Sequence, residues 1–138
     1  MAALGSAASD VAVVVHKANR TRNLSFAELT KICKLQSRKW PDGRDVVVVM
    51  RDLNTPETKL ALRKLGMTPE DARALFGASG PGRATILVAL SDDVLIQAVA
   101  TNPGAIGLVD VYSINGAITV LKVDGKSPLE PGYALHGN

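Results

Sequence analysis

Residues 91–110, Ser-Asp-Asp-Val-Leu-Ile-Gln-Ala-Val-Ala-Thr-Asn-Pro-Gly-Ala-Ile-Gly-Leu-Val-Asp, constrain the fold more than any other part of the chain. Ser91 suits a helix N-cap, because its hydroxyl can accept from an otherwise orphaned amide of the first turn. Asp92 and Asp93 then place negative charge where the helix dipole favours it. Leu90 and Leu95 have the spacing of a hydrophobic staple, and Val94, Leu95, Ala98 and Val99 form one apolar face. Asn102 and Pro103 stop the helix, and residues 105–109 have the apolar run of a buried strand. A capped helix delivered straight into a buried strand is the building unit of an α/β domain.

The rest of the chain repeats that alternation. Residues 11–15, Val-Ala-Val-Val-Val, read as a strand covered on both faces. A basic loop with Lys17, Arg20 and Arg22 follows. Ser25 opens a helix with a capping box to Glu28 and a staple between Leu24 and Leu29. Phe26, Leu29, Ile32 and Cys33 give that helix its apolar stripe. Trp40-Pro-Asp-Gly43 is a turn by chemistry, since Pro and Gly supply the restricted and positive φ angles. Residues 46–50 form a second apolar strand. One helix starts at Asn54 or Thr55 with Pro56 in its first turn and ends at Gly66; another is capped by Thr68, begins with Pro69 and ends at Gly77. After a loop at Ser79-Gly-Pro-Gly82, residues 85–90 form a third strand. Beyond the Ser91 helix, strands 106–111 and 118–123 flank an Asn115-Gly116 turn and read as a hairpin. The expectation is one α/β domain over residues 10–125: a three-layer sandwich with a mixed, mostly parallel sheet of about five strands flanked by about four helices. Residues 126–138, rich in Pro and Gly, are expected to form an irregular tail. Residues 1–9 are small and mildly apolar without a positive n-region. They read either as the tail of a clipped export signal, with Ala7-Ala8-Ser9 at its cleavage site, or as a disordered leader or added remnant.

Composition narrows the function classes. Hydrophobic residues are 46% of the 138, enough for a core, and no run approaches the roughly 18 apolar residues of a membrane span. Aromatics are 4%, leaving few stacking platforms for single-stranded nucleic acid. Cys33 is the one cysteine, so an internal disulfide is excluded, and its apolar neighbourhood reads as a buried, unreactive thiol. His16 and His136 are far apart, and Cys33 has no base near it in sequence. Asp92 and Asp93 are explained by helix capping, and no metal-ligand spacing occurs. The chain reads as a binding protein rather than an enzyme, with no cofactor, nucleic acid or membrane insertion expected.

The capped helix running into Asn-Pro-Gly-Ala-Ile-Gly-Leu-Val-Asp resembles a segment of phosphate-type periplasmic solute-binding proteins. Leu24-Ser-Phe-Ala-Glu-Leu29 is similar to that family's early helix, and Trp40-Pro-Asp-Gly43 to its following turn. The similarity extends over roughly residues 11–123. It implies a periplasmic binding protein-like lobe, phosphate as the default ligand, a transporter or sensor protein of ABC type as partner, and an exported location, periplasmic or extracellular. Members of the family clamp their ligand between two lobes, and this chain reads as a single lobe standing alone.

The sharpest candidate site is Arg51-Asp-Leu-Asn-Thr-Pro-Glu57. An arginine at a strand end beside a helix N-terminus offers a planar fork and outward-pointing amides to an oxyanion. By the resemblance, Arg51 stands where the family keeps a phosphate-contacting arginine. The candidate ligand-binding residues are Arg51, Asn54, Thr55, Glu57 and Arg83, the last from the glycine-rich Ser79-Gly-Pro-Gly-Arg83. The plainer reading makes the same stretch a simple cap, with Arg51 solvated or ion-paired. Where the family follows its arginine with Gly-Ser-Gly-Thr-like residues, this chain has Thr55 for the serine, Pro56 for the glycine and Glu57 for the threonine. Proline donates no amide hydrogen bond, and a carboxylate about 4 Å from a bound anion costs on the order of 4 kcal/mol. The Ser79–Arg83 stretch lacks the Lys-Ser/Thr of a phosphate loop and reads equally as an ordinary loop. The patch of Lys17, Arg20, Arg22, Arg38 and Lys39 could meet nucleic acid or an acidic surface, but with so small a net charge it reads rather as a solvated rim. The competing functional reading is therefore a protein-interaction or self-associating module that has kept the fold and lost the ligand.

Overall fold

Runs of valine and isoleucine make the central sheet, because β-branched side chains pack well on a pleated surface buried from both sides. The computed structural model describes residues 8–78 and 85–137. In chain order the elements are β1 (Val11–His16), β2 (Asn23–Leu24), α1 (Phe26–Cys33), β3 (Val47–Arg51), α2 (Pro56–Lys64), α3 (Pro69–Ala78), β4 (Thr85–Ala89), α4 (Asp92–Thr101), β5 (Ala105–Asp110), β6 (Ile118–Val120) and β7 (Lys122–Val123). The main sheet has five strands in the order β4-β3-β5-β1-β6. β3 is parallel to both β4 and β5, while β1 runs antiparallel between β5 and β6. The sheet is mixed and the domain α/β, as the alternation of strands and capped helices implies. A small parallel pair, β2 with β7, was not foreseen.

The sheet separates two apolar layers. Val11, Val13, Val15, Val48, Met50 and Ile106 face one side with α1 and α2, and Ala12, Val14, Val49 and Val109 face the other with α4. The helix starts follow their sequence signals. Ser25 and Glu28 close the capping box of α1, with Oγ accepting from Glu28 N at 3.0 Å and the carboxylate from Ser25 N at 2.8 Å. Thr68 and Asp71 make the equivalent exchange at α3, and Ser91 Oγ accepts from Val94 N at 3.1 Å. Asn102 ends α4, and its Oδ1 accepts from Gly104 N at 3.0 Å. The glycines after it have a packing reason. A Cβ on Gly104 would lie 2.1 Å from the Asp45 carbonyl oxygen, and one on Gly107 would lie 2.8 Å from Leu95 Cδ2. Gly104 thus admits the backbone ahead of β3, and Gly107 lets α4 settle onto β5.

Two local expectations are corrected. The Asn115-Gly116 turn does not close a hairpin: β6 pairs with β1, which lies between it and β5. Asn115 does form a turn, its Oδ1 accepting from Ala117 N. A turn signal fixes local reversal, but a strand from elsewhere in the chain can take the place beside β5. Nor does the staple at α4 form. Leu90 is 84% exposed and Val94 51% exposed, while Ile96 joins Leu95 and Val99 in the core. Leu90 continues the strand register past Ala89, which is buried, and so projects into solvent.

The last residues form turns rather than helix or strand, yet they pack tightly. Tyr133 and Leu135 are buried. Leu135 O accepts from Val11 N at 3.0 Å, and the Tyr133 hydroxyl donates to Val11 O at 2.6 Å.

Candidate functional site

Parallel strands followed by helices bring the strand ends and helix starts to one edge, where α/β folds place ligands. Here that edge holds the ends of β3, β4 and β5, the N-termini of α2 and α4, and the start of β1, since Val11 pairs with Asp110. Arg51, Asn54, Thr55 and Glu57 all lie on it. Arg83 is outside the described residues, as are the loop at residues 79–82 and residues 1–7 of the leader.

Arg51 closes β3 and turns across the sheet edge. Its Nε donates to Ala89 O at 3.2 Å, Nη2 to Leu90 O at 3.3 Å, and Nη1 to the Asp92 carboxylate, with which it forms an ion pair. The pair is largely covered, at 21% side-chain exposure for Arg51 and 26% for Asp92. Asp92 Oδ2 also accepts from Ser113 Oγ at 2.5 Å. One carboxylate thereby joins the end of β3, the start of α4 and the 3-10 turn Val111–Ser113. Arg51 is therefore ion-paired in the structure.

The loop before α2 is likewise organised around a carboxylate. Asp52 Oδ1 accepts from Asn54 N at 2.9 Å and lies 3.4 Å from the Thr55 hydroxyl. Thr55 is the N-cap of α2 by backbone geometry, but its side chain makes no cap bond. Pro56 follows, and the helix start leaves the Glu57 and Thr58 amides without intrahelical acceptors. Glu57 turns away toward β1, its Oε2 accepting from Ser9 N at 3.1 Å. Next to that contact, Asp10 is buried and fully occupied by Leu129 N at 2.8 Å, Gly137 N at 2.7 Å and His136 Nδ1 at 2.8 Å. Burial alone would raise the Asp10 pKa, but the Gly137 and Leu129 amides and His136 outweigh it and hold it below the ordinary value.

Sequence reasoning located the arginine and the helix start but missed Asp52, Ser113, Ser9 and the second role of Asp92. The spacing Asp52-Leu-Asn54 is a readable Asx-turn signal. Nothing in the sequence pairs Arg51 with a residue 41 positions away. Leu90, Tyr112 and Val94, the last two 75% and 51% exposed, stand on the segments that Asp92 ties together. Among the described residues no group of His, Cys, Asp or Glu could hold a metal ion, and no helix is long and apolar enough to cross a membrane.

No protein-family model matches the chain, and no curated protein matches it in sequence. Solved structures do match. An ABC-type phosphate transport receptor from Vibrio cholerae superposes with a TM-score of 0.79 at 22% identity, covering 96% of this chain and 55% of the receptor. A phosphate binding protein from Stenotrophomonas maltophilia gives 0.66 at 21% identity, covering 89% and 41%. A human phosphate binding apolipoprotein gives 0.65 at 19% identity, covering 89% and 43%. The chain spans about half the length of these proteins, and over that span it has the fold of phosphate-type solute-binding proteins.

Proposed function

We propose that this chain is a solute-binding-protein-type module linked to phosphate uptake or sensing, acting outside the cytoplasm, whose crevice end meets a protein partner rather than capturing free phosphate by itself. The observation that carries this reading is the set of carboxylates at the crevice. Asp92 occupies the Arg51 guanidinium, Asp52 occupies the loop donors at Asn54 and Thr55, and Glu57 stands at the helix start. A phosphate dianion there would displace Asp92 or sit among like charges, at a cost on the order of 4 kcal/mol per carboxylate at about 4 Å. Exposed Leu90 and Tyr112 beside this polar edge suit a protein surface better than a free ion.

Direct oxyanion capture by Arg51, Asn54 and Thr55 is the second reading. It is favoured by the shared fold and by the free first-turn amides of α2. Calorimetric titration with phosphate, sulfate and small carboxylates separates the two. The expected result is no saturable heat from Arg51-dependent binding at millimolar phosphate in the folded protein. Saturable binding lost in Arg51→Ala without a change in melting temperature would establish capture instead. Sedimentation across a concentration series then shows whether the partner is a second copy.

A further inference from the structure

The end of the sheet opposite the crevice carries a feature that the proposed function does not use. There the loop leaving β1 meets the turn around Trp40. The loop is a built element. Asn19 N donates to His16 O at 2.9 Å, Ala18 N to His16 Nδ1 at 2.9 Å, and Arg22 Nη1 to Asn19 O at 2.7 Å. The facing turn is anchored by the buried Trp40 indole, which donates to Gly104 O at 2.9 Å. Between them lie two open basins of about 600 and 640 Å³ that share Thr21, Trp40 and Pro41.

In each basin the cationic side chains outnumber the carboxylates. Arg22, Lys31 and Lys39 line one basin, and Arg20 and Arg44 the other. The carboxylates present are already engaged: Glu28 in the capping box of α1, and Asp42 with the Arg44 amide and guanidinium. Lys39 pairs with Asp45 and Arg44 with Asp42 at 3.5 Å, whereas Arg20, Arg22 and Lys31 form no ion pair among the described residues. Asn19 lines the second basin at 6% exposure. Its Oδ1 accepts from Thr21 N at 2.9 Å, which settles the orientation of the carboxamide. The remaining Nδ2 is a buried donor with no acceptor, and no other buried side-chain nitrogen or oxygen among the described residues shares that condition. Buried donors are met in nearly all native structures, because an unmet one forfeits its hydration without return.

We propose that the basin beside Asn19 is an oxyanion site for a small organic polyanion, a carboxylate or phosphate group accepting from Asn19, Arg20 and Arg44. An ionised carboxylate only accepts and a phosphate accepts at most of its oxygens, which matches a lining with two guanidinium groups against one carboxylate. Pro41, with the small exposed part of Trp40, gives the carbon skeleton an apolar contact in an open basin of about 640 Å³. The site is independent of the crevice and of any role for Arg51.

Trp40 is the one tryptophan in the chain and lines both basins, so its fluorescence reports on this end of the sheet and not on the crevice, and the Arg20 and Arg44 variants assign the signal to the basin beside Asn19. Titration with citrate, succinate and inorganic phosphate at constant ionic strength is expected to give a saturable change with at least one of them. Citrate or succinate alone identifies a carboxylate site, and phosphate identifies phosphate chemistry. Arg20→Ala and Arg44→Ala each remove an exposed side chain and are expected to weaken binding about tenfold, the loss of one charge-assisted hydrogen bond. Asn19→Asp keeps the acceptor for Thr21 and replaces the free donor with negative charge, and is expected to abolish binding. If it does not fold, the two arginine variants decide. Arg51→Ala is expected to leave the fluorescence titration unchanged. No saturation by millimolar ligand overturns the proposal. So does an equal response to sodium chloride, unchanged affinity in both arginine variants, or a loss of affinity in Arg51→Ala.

Discussion

Replacing Arg51 with alanine separates a structural arginine from a ligand-binding one. In the structure the guanidinium holds the ends of β3 and β4 and the start of α4 together, through Asp92 and the carbonyls of Ala89 and Leu90. An exposed pair of this kind contributes about 0–1 kcal/mol, and breaking a fully buried pair costs about 3–5 kcal/mol. At 21% and 26% side-chain exposure the Arg51–Asp92 pair lies between these limits, near 2 kcal/mol. The two carbonyl contacts, at 3.2 and 3.3 Å, are long and add less. The expected loss is about 2–3 kcal/mol, a fall in melting temperature of roughly 6–9 °C for a domain of this size. Calorimetric or circular-dichroism melting measures it. Combining Arg51→Ala with Asp92→Ala closes a double-mutant cycle, with an expected coupling of about 1–2 kcal/mol. Arg51→Lys is expected to recover only part of the loss, since lysine keeps the charge without the fork. A melting temperature unchanged by Arg51→Ala, or additive single and double changes, would refute the reasoning and return Arg51 to solvent or ligand.

Gly107→Ala puts a methyl 2.8 Å from Leu95 Cδ2 and 3.0 Å from Val99 Cγ2; chemical denaturation is expected to show a loss of about 1–3 kcal/mol. Gly104→Ala should cost more, because its clash at 2.1 Å is with the Asp45 backbone, which no rotamer change relieves. The Asp10 pKa is lowered on folding, so its contribution to stability is complete above the ordinary value of 3.8 and is lost as pH falls through the lower folded value. Asp10→Asn should therefore flatten the acid limb of a stability–pH curve, and an unchanged limb would count against it. Burial pushes the Cys33 thiol up to about 12; a thiol reagent at pH 8 should react only as fast as the domain opens, and rapid labelling of the native protein would show a thiol less enclosed than it is here.

Local physics made most of the fold readable. Ser25, Thr68 and Ser91 each announce a helix start with a side chain that satisfies an orphaned amide, and all three do so in the structure. The valine-rich runs mark β1 and β3 because a strand covered on both faces has no polar position to alternate with. Sheet order was not readable. The Asn-Gly turn between β5 and β6 is real, yet β1 occupies the place between them, and nothing near residue 115 encodes a strand a hundred positions earlier. The same limit applies to the site. Arg51 and the start of α2 are local features, whereas the partnership of Arg51 with Asp92 depends on β3 and β4 being neighbours.

Asp92 shows why the two scales must be read together. Its position in the first turn of α4 is explained by the helix dipole, and that explanation is complete as far as the sequence goes. Once β4 lies beside β3, the same carboxylate becomes the counter-ion of Arg51 and the acceptor for Ser113. Asp10, Asp52, Glu57 and Asp110 are gathered at that edge as well, while Arg20, Arg22, Lys31, Lys39 and Arg44 line the opposite end. The net charge of +3 conceals this polarity. On the proposed reading, an arginine at a strand end beside a helix start is not enough to make an anion site. The charges that the fold places around it decide whether it remains available.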